Sequence, residues 1–190
     1  MEIVGGMAGG LSLISPRGSA VRPTSVRARK ALFDSLGDLT GLIFADLCAG
    51  SGAMGLEAAS RGAQQVYFIE CAPESLNVIE RNCRKIRAAG VNAELTVVRG
   101  SLPEAAEHLR HASQPDLLFA DPPYRNSARL LDELTKNEAF TEWASNGRLF
   151  WELPEGGTAL RPPAAPWKIE TIRTSGAVRF MILAQNREKS

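Results

Sequence analysis

From residue 42 onward, short apolar runs alternate with amphipathic stretches of helical periodicity. The runs are only a few residues long and lack polar alternation, which is typical of strands buried on both faces of a parallel sheet. The pattern predicts strands at Leu42–Cys48, Gln65–Glu70, Glu94–Arg99, Leu117–Ala120 and Arg148–Glu152, and helices at Met54–Arg61, Pro73–Ala89, Pro103–His111 and Ala128–Asn137. Strands and helices that alternate through right-handed crossovers form a parallel sheet with helices on both faces.

The chain ends in two further strand-like segments, Trp167–Thr174 and Val178–Gln185, separated by a short turn. Strands joined so closely pair as an antiparallel hairpin. They bring the predicted sheet to seven strands. The fold class is therefore α/β, with a mostly parallel sheet and a C-terminal antiparallel hairpin.

The beginning of the chain has a different character. Residues 1–21 are rich in glycine and serine and are predicted to form an arm or a small hairpin, whereas residues 22–190 are predicted to form one α/β domain. Val26–Leu36 is predicted as an amphipathic helix because its apolar residues recur at helical spacing. The cations of this helix give it a basic side: Arg27, Arg29 and Lys30.

Composition limits the partners of the chain. The formal net charge is +1, so no global positive field favours nucleic acid and any basic surface is local. Cys48, Cys71 and Cys83 show no metal-ligand spacing and fit a reducing compartment. The apolar runs are too short for a bilayer, and residues 1–6 do not resemble a signal peptide. We expect a cytoplasmic monomer that binds neither metal nor membrane.

One strand ends in an abrupt stop. Leu117–Ala120 leads directly into Asp121-Pro122-Pro123-Tyr124. Two prolines cannot continue a central strand, and each restricts the preceding residue to extended geometry. The stiff backbone therefore presents a carboxylate, a carbonyl and an aromatic ring together. This set suits a planar group bearing an NH2, with two acceptors for its protons and a ring for stacking.

A glycine-rich loop separates the first predicted strand from its helix. Gly50, Gly52 and Gly55 follow the G-x-G-x-x-G spacing, with Ser51 between the first two. Glycine permits a tight turn and lets a ligand approach the backbone closely. The spacing alone does not identify one cofactor, and a glycine turn without a ligand gives the same pattern.

Two acids beside the loop indicate which nucleoside it binds. Asp46 precedes Gly50 by four residues, where a carboxylate would repel a pyrophosphate but attract an ammonium or sulfonium group. Glu70 ends the second strand, where an acid accepts ribose hydroxyls; the alternative is a solvated charge at a strand end. Together these features favour S-adenosylmethionine over NAD.

The turn after the third strand contains Ser101. In an architecture of this kind that turn lies beside the adenine, so Ser101 is predicted to form a hydrogen bond with the base. The alternative is that Ser101 caps the helix predicted at Pro103–His111, and the two roles are compatible.

These residues resemble a known family. Asp46–Gly55 is similar to the first motif of the class I methyltransferases, and Asp121–Tyr124 to their [N/D]-P-P-[F/Y] motif of amino-nitrogen methylation. More narrowly, the chain resembles the bacterial small-subunit ribosomal RNA guanine-N2 methyltransferases of the RsmD type. The resemblance covers nearly the whole chain and includes Ile3–Gly6 and Arg22-Pro23-Thr24 before the first helix.

The resemblance implies a Rossmann-like class I methyltransferase fold and methylation of a guanine N2 amine in 16S ribosomal RNA, free or in the assembling small subunit. It implies a catalytic set of Asp121, Pro122 and Tyr124. It implies a cofactor set of Asp46, Gly50, Ser51, Gly52, Gly55, Glu70, Ser101 and Thr24. The candidate RNA surface consists of local cations, namely Arg17, Arg22, Arg27, Arg29, Lys30 and Arg125.

Two features qualify the candidate RNA surface. Members of the family usually carry basic residues around the first glycine pair, whereas Met7–Leu13 is nearly uncharged here. Solvated helix charges, with Thr24 or Ser25 as a helix cap, are the alternative explanation for the residues around Arg22.

Other functions share parts of this pattern. The Asp-Pro-Pro-Tyr motif also serves N6-adenine methylation of DNA or RNA, and N5-glutamine methylation of proteins. A separate target-recognition domain is not evident, which argues against a DNA enzyme, and glutamine-modifying relatives prefer Asn at the position of Asp121. A nicotinamide oxidoreductase and a non-catalytic RNA-binding assembly factor are the alternatives from other classes.

Overall fold

The computed structural model describes residues 1–16, 26–154, 162–175 and 178–186. Among these residues lie the strands β1 Ile43–Asp46, β2 Gln65–Glu70, β3 Glu94–Arg99, β4 Leu117–Ala120, β5 Arg148–Leu153, β6 Trp167–Ser175 and β7 Val178–Gln185. The helices are α1 Val26–Leu36, α2 Ala53–Ser60, α3 Pro73–Ala88, α4 Ser127–Lys136 and α5 Glu138–Trp143, with a 3-10 helix at Glu104–Leu109. Within these ranges every helix is too short or too polar to cross a membrane.

The seven strands form one sheet in the order β3-β2-β1-β4-β5-β7-β6. The first five strands pair in parallel, and β7 runs antiparallel to both β5 and β6. The predicted α/β fold, with its mostly parallel sheet and closing hairpin, is confirmed. The strand order reverses between β1 and β4, and open α/β sheets bind their ligands outside the carboxyl ends of the strands at such a point.

Both faces of the sheet are covered, which explains why the strands lack polar alternation. On one face, Phe44 and Phe68 pack in a buried cluster with apolar residues of α1, α2 and α3. On the other face, Tyr67 packs edge-on against Trp143 of α5, with 5.5 Å between the ring centroids. The two clusters hold the carboxyl edge of the sheet between two layers of helices.

Residues 1–14 form a small hairpin, the N-terminal hairpin, closed by an antiparallel bridge between Glu2 and Ser12. It packs on the end of α2, where the Ala8 N–H donates to Ser60 Oγ at 2.9 Å. Gly6 has a φ of 75°, and a Cβ at this position would lie 1.9 Å from the Ser60 carbonyl oxygen. Only glycine fits this contact. The predicted boundary of the arm at residue 21 lies outside the described residues.

The predicted helices differ locally from the observed ones. The segment Pro103–His111, predicted as a helix, is a 3-10 helix at Glu104–Leu109. The helix α5 has no counterpart among the predicted elements. Asn137, predicted as the last residue of the preceding helix, begins α5 as its cap, and its side chain accepts a hydrogen bond from the Phe140 N–H at 2.8 Å.

The prediction that Arg29 belongs to an exposed basic side of α1 is also wrong. Its side chain is 1% exposed, and its Nε lies 3.5 Å from Oε2 of Glu57 on α2. The guanidinium donates to the Glu2 carbonyl, and the Glu57 carboxylate accepts from the N–H groups of Val4 and Gly5 at 2.7 and 2.9 Å. A buried charge is tolerated where it is paired and hydrogen-bonded. Arg29 therefore joins α1, α2 and the N-terminal hairpin.

Candidate active site

Three neighbouring strands end in carboxylates at one edge of the sheet. Asp46 is the last residue of β1, Glu70 is the last residue of β2, and Asp121 directly follows β4. Because β1 lies between β2 and β4, the three side chains reach the same edge. A cleft of 1230 Å³ opens there. Its size exceeds the roughly 300–1,000 Å³ of a pocket for one drug-sized ligand, so the cleft has room for two ligands.

Asp46 is 2% exposed, and the two residues that follow it, Leu47 and Cys48, line the cleft. Its Oδ2 accepts a hydrogen bond from the Gly55 N–H at 3.0 Å, and no cation among the described residues pairs with it. Burial raises the pKa of Asp46 to about 7; the Gly55 N–H opposes this shift, and the charges of Glu70 and Asp121 add to it. The protein therefore holds a carboxylate in a place where only an added cation would compensate its charge.

Glu70 is half-buried, and its carboxylate accepts three hydrogen bonds from backbone N–H groups. Its Oε2 accepts from the Gly50 N–H at 2.7 Å, and its Oε1 accepts from the N–H groups of Cys71 and Ala72, both at 2.8 Å. The alternative interpretation of Glu70 as a solvated charge is therefore wrong. The carboxylate ties the glycine loop to the start of α3, and its remaining lone pairs face the cleft that it lines.

The glycine loop packs tightly against the sheet. A Cβ on Gly55 would lie 2.4 Å from Cε1 of Phe68, so only glycine allows α2 to approach β2 this closely. Gly50 lines the cleft, whereas Ser51, Gly52 and Gly55 are buried behind it. The Ser51 carbonyl accepts a hydrogen bond at 3.0 Å from the amide of Asn82, and Asn82 also exchanges two hydrogen bonds of 2.9 Å with the backbone of Ile14.

The Asp-Pro-Pro-Tyr segment forms the opposite wall of the cleft. Asp121 is half-buried, and burial raises the pKa of its carboxyl to about 6. Pro122 is buried, and Tyr124 is 38% exposed at the cleft. The carboxylate and the aromatic ring are thus both accessible from the cleft.

The support for this segment comes from the strand beside it. The Trp151 Nε1–H of β5 donates to Ser127 Oγ at 2.9 Å, and both side chains are buried. Ser127 begins α4, and its N–H lies 3.4 Å from the Tyr124 carbonyl oxygen. These contacts hold the turn that follows the two prolines.

Ser101 lines the cleft and is exposed. Its predicted role as a helix cap is wrong, because Pro103 occupies the cap position of the 3-10 helix and no side chain makes a capping hydrogen bond there. The predicted contact between Ser101 and a base stays a prediction.

The predicted RNA-binding cations have separate locations. Arg125 is exposed and lines the cleft, and Arg27 is exposed on α1. Lys30 forms an ion pair with Asp34 at 2.5 Å on the same helix. Arg17, Arg22, Thr24 and Ser25 lie outside the described residues.

Sequence reasoning missed the contribution of α4 to the cleft. Asn126, Arg129, Leu130 and Glu133 line it, and Arg129 Nε lies 2.7 Å from Glu133 Oε1. Their spacing of three and four residues was a usable signal, because a helix that begins directly after the Asp-Pro-Pro-Tyr turn presents such residues to one side. The Cys48 thiol also lines the cleft, and burial raises its pKa, so the thiol stays protonated.

The arrangement can bind a cation and a hydrogen-bond donor side by side. In the described part of the chain, no group of three or more His, Cys, Asp or Glu side chains is placed to hold a metal ion. Asp46, Glu70 and Asp121 have no cation partner among the described residues, and Glu70 accepts hydrogen bonds from three backbone N–H groups. Asp46 and Glu70 adjoin the glycine loop, and Asp121 adjoins the exposed tyrosine.

The strand order, the glycine loop after β1 and the Asp-Pro-Pro-Tyr turn after β4 define a class I methyltransferase fold. Comparison with known proteins gives a narrower assignment. The chain belongs to the family described as "Conserved hypothetical protein 95", whose model matches residues 1–183. The predicted membership in the RsmD-type family is confirmed.

Individual relatives match over nearly their whole length. The ribosomal RNA small subunit methyltransferase D of Escherichia coli K12 is 28% identical over 184 residues, which cover 96% of this chain and 88% of that protein. The structure of a hypothetical protein from Thermus thermophilus superposes with a TM-score of 0.73 at 26% identity, covering 98% and 99% of the two chains. A putative methyltransferase from E. coli superposes with a TM-score of 0.69 at 25% identity, covering 99% of each chain.

Proposed function

We propose that this protein transfers a methyl group from S-adenosylmethionine to the exocyclic N2 amine of a guanine in 16S ribosomal RNA. The observation that carries the proposal is the set of carboxylates at three adjacent strand ends that have no cation partner among the described residues, beside a cleft with room for a cofactor and a base. Support for ribosomal RNA as the substrate comes from the E. coli relative, which is named as a small-subunit ribosomal RNA methyltransferase.

The cofactor side of the cleft fits a cationic nucleoside. Asp46 is a buried carboxylate without a cation partner among the described residues, and burial raises its pKa to about 7. Gly50, Glu70 and Ser101 line the cleft, where they would offer backbone to the cofactor, lone pairs to the ribose hydroxyls and a hydroxyl group to the base. S-adenosylmethionine supplies an electrophilic methyl group. Thr24 stays a predicted contact.

The substrate side fits a base with an exocyclic amine. The Asp121 carboxylate and the Pro122 carbonyl would accept the two amine protons, and Tyr124 would stack on the ring. Base stacking on an aromatic side chain contributes roughly 1–3 kcal/mol. The guanine must leave its own stack to enter the cleft, because its amine is not accessible inside a helix.

Asp121 would contribute in two ways. Together with the Pro122 carbonyl, it would hold both amine protons and so turn the nitrogen lone pair out of conjugation and toward the methyl group. Such positioning is a large part of catalysis. The carboxylate also opposes the positive charge that develops on the nitrogen. With a pKa of about 6, Asp121 is ionised at neutral pH, as this role requires. The methylated nitrogen is acidic and then sheds a proton.

The direct test is mass spectrometry of 16S ribosomal RNA from cells that lack this protein. We expect one N2-methylguanine to be missing, to return with the wild-type gene, and to stay missing with Asp121→Ala. Binding of S-adenosylhomocysteine by the purified Asp121→Ala variant serves as the folding control. An unchanged methylation pattern would overturn the proposal.

The same mass-spectrometry experiment, together with binding measurements, separates the alternative functions. Loss of N6-methyladenine in place of N2-methylguanine would assign the enzyme to adenine. Calorimetric titration with NADH and S-adenosylhomocysteine decides between cofactors, and we expect binding of the latter alone. Binding of ribosomal RNA without any methyl transfer would indicate an assembly factor.

A further inference from the structure

The helix predicted to contact RNA offers little free charge. On α1, Arg29 is buried against Glu57 and Lys30 is paired with Asp34. Only Arg27 of these three cations has no carboxylate partner among the described residues. A phosphate backbone is bound mainly by cations that release counterions, so α1 alone is a poor RNA surface.

A larger group of cations lies on α3 instead. Arg81, Arg84, Lys85 and Arg87 fall within seven residues of this helix. Arg81, Arg84 and Arg87 are spaced by three residues, so each lies about 60° around the helix from the one before it, and the three cover about 9 Å of its length at 1.5 Å per residue. All three are exposed, and Lys85 beside them is half-exposed. We call these four residues the α3 cationic face.

No carboxylate among the described residues neutralises this face. Arg87 donates to the Leu95 carbonyl at 3.4 Å, and Lys85 donates to the Ser12 carbonyl, so both keep their full charge. The nearest acid on the helix, Glu80, is already paired with Arg99 at 3.0 Å.

The fold itself does not require these charges. Like charges three or four residues apart destabilise a helix. Cations in the last turn are favoured by the helix dipole, which accounts for Lys85 and Arg87 but not for Arg81 and Arg84. An anionic partner would account for all four.

The position of the α3 cationic face fits a long substrate. The first turn of α3 lines the cleft through Glu74 and Ser75, and Arg84 lies nine residues further on, about 14 Å along the helix axis. A lone base in the cleft would not reach this face. A polynucleotide that places one base in the cleft would.

We propose that the α3 cationic face binds the phosphate backbone of the RNA whose guanine enters the cleft. The inference rests on the proposed function and adds a surface to it. Three of the four cations are arginines, and the planar guanidinium pairs with phosphate through two parallel hydrogen bonds. The nearly uncharged N-terminal hairpin lies beside this face, so α3 supplies the charge that the hairpin lacks.

The test is the double variant Arg81→Gln plus Arg84→Gln, with binding to naked 16S ribosomal RNA measured at several salt concentrations. Each lost phosphate contact flattens the log–log slope by roughly 0.7–0.9, so we expect a change of about 1.4–1.8. At 0.15 M salt this corresponds to a loss of affinity of roughly 20-fold. The KM for RNA should rise equally, with kcat and the affinity for S-adenosylhomocysteine unchanged.

The matched control is Lys168→Gln plus Arg173→Gln, which removes two exposed cations from β6. We expect the salt dependence of this control to equal that of the wild type. An unchanged slope in the Arg81/Arg84 variant, with wild-type thermal stability, would overturn the proposal. Weaker binding to assembled small subunits but not to naked RNA would also overturn it, because it would indicate an acidic protein as the partner.

The two proposals fail in different ways. If wild-type protein methylates no ribosomal RNA, the proposed function fails. If it methylates RNA and the Arg81/Arg84 variant keeps its KM and slope, only the α3 surface fails.

Discussion

Two carboxylates are buried within the same half of this fold, and their surroundings are opposite. Glu57 is 0% exposed and is compensated by Arg29, by Arg61 at 2.9 Å and by two backbone N–H groups of the N-terminal hairpin. Asp46 is 2% exposed and has one N–H partner, from Gly55, and no cation among the described residues. Asp46 ends β1 and Glu57 lies within α2, on either side of the glycine loop.

The comparison shows how a protein separates structural charge from functional charge. Breaking a buried ion pair strongly destabilises a fold, so the Glu57 cluster (Glu57, Arg29 and Arg61) holds elements together. An uncompensated carboxylate weakens the fold when it ionises, and it is retained where a ligand supplies the missing charge. The raised pKa values of Asp46 and Asp121 mark the second kind of site.

The largest effect should come from Glu57→Gln, which leaves the Arg29 guanidinium buried without its counter-charge. We expect the free energy of unfolding to fall by about 3–5 kcal/mol, measured by urea denaturation. Asp34→Asn removes a half-exposed carboxylate at the outer end of the same network and should cost at most about 1 kcal/mol. Equal losses in the two variants would remove the distinction between the buried pair and its exposed neighbour.

Asp121→Asn should have the opposite profile. The rate of methyl transfer should fall by about 10²–10³, or about 2.7–4 kcal/mol, because the amide cannot oppose charge developing on the amine nitrogen. The unfolding free energy should stay the same or rise, since no cation among the described residues pairs with this carboxylate. Asp132→Asn, an equal charge change on α4, serves as the control. An Asp121→Asn protein that is destabilised but still active would contradict the assignment of Asp121 as a functional and not a structural charge.

The pH dependence of transfer should follow the cleft carboxylates. The pKa of Asp121 is raised to about 6, so the group loses its charge as pH falls through that value. We expect kcat/KM to decrease below pH 6, reaching about tenfold one unit lower, because protonation removes the negative charge with which Asp121 accepts its amine proton. A flat profile between pH 5 and 8 in steady-state assays would exclude a role for the ionised carboxylate.

Asp46→Asn should stabilise the protein, by less than Glu57→Gln destabilises it. The folded-state pKa of Asp46 is raised to about 7, above its ordinary value of 3.8, so its contribution to stability is present at low pH and is lost as pH rises through 7. At pH 8 and without cofactor, we expect the variant to exceed the wild type by at least about 1 kcal/mol, since one pKa unit corresponds to about 1.4 kcal/mol.

The same variant should bind S-adenosylhomocysteine and S-adenosylmethionine differently from the wild type. Loss of the carboxylate should lower the affinity for S-adenosylmethionine, which carries a sulfonium charge, more than the affinity for the neutral sulfur of S-adenosylhomocysteine. Below pH 3.8 the carboxyl group is protonated in both the folded and the unfolded chain, so the stabilities of the two proteins should converge there. A stability difference independent of pH would show that packing, and not charge, is responsible.

The sequence allowed the sheet and its carboxyl edge to be predicted because their signals are local. Apolar runs, prolines and glycines act within a few residues, so the strand that ends at Asp121 was recognisable by itself. The roles of the cleft residues in binding and catalysis stay predictions. Their convergence on one edge follows from the parallel order of β2, β1 and β4.

Arg29 and Lys30 show the limit of predictions that use only local sequence patterns. The two cations are adjacent on α1, and helical periodicity predicts both to be exposed. The burial of Arg29 depends on Glu57, which lies on another helix, and no pattern within α1 reveals that partner. The one available hint was a lone acid in the otherwise apolar α2, which is a sign of a buried pair.

Asn82 connects the two regions compared above. Its fully buried amide holds both the Ile14 backbone, at the end of the N-terminal hairpin, and the Ser51 carbonyl of the glycine loop. This shared side chain couples the position of the hairpin to the position of the loop. If cofactor binding shifts the loop, the shift reaches the hairpin through Asn82, and by linkage a partner that binds the hairpin changes the cofactor affinity by the same factor.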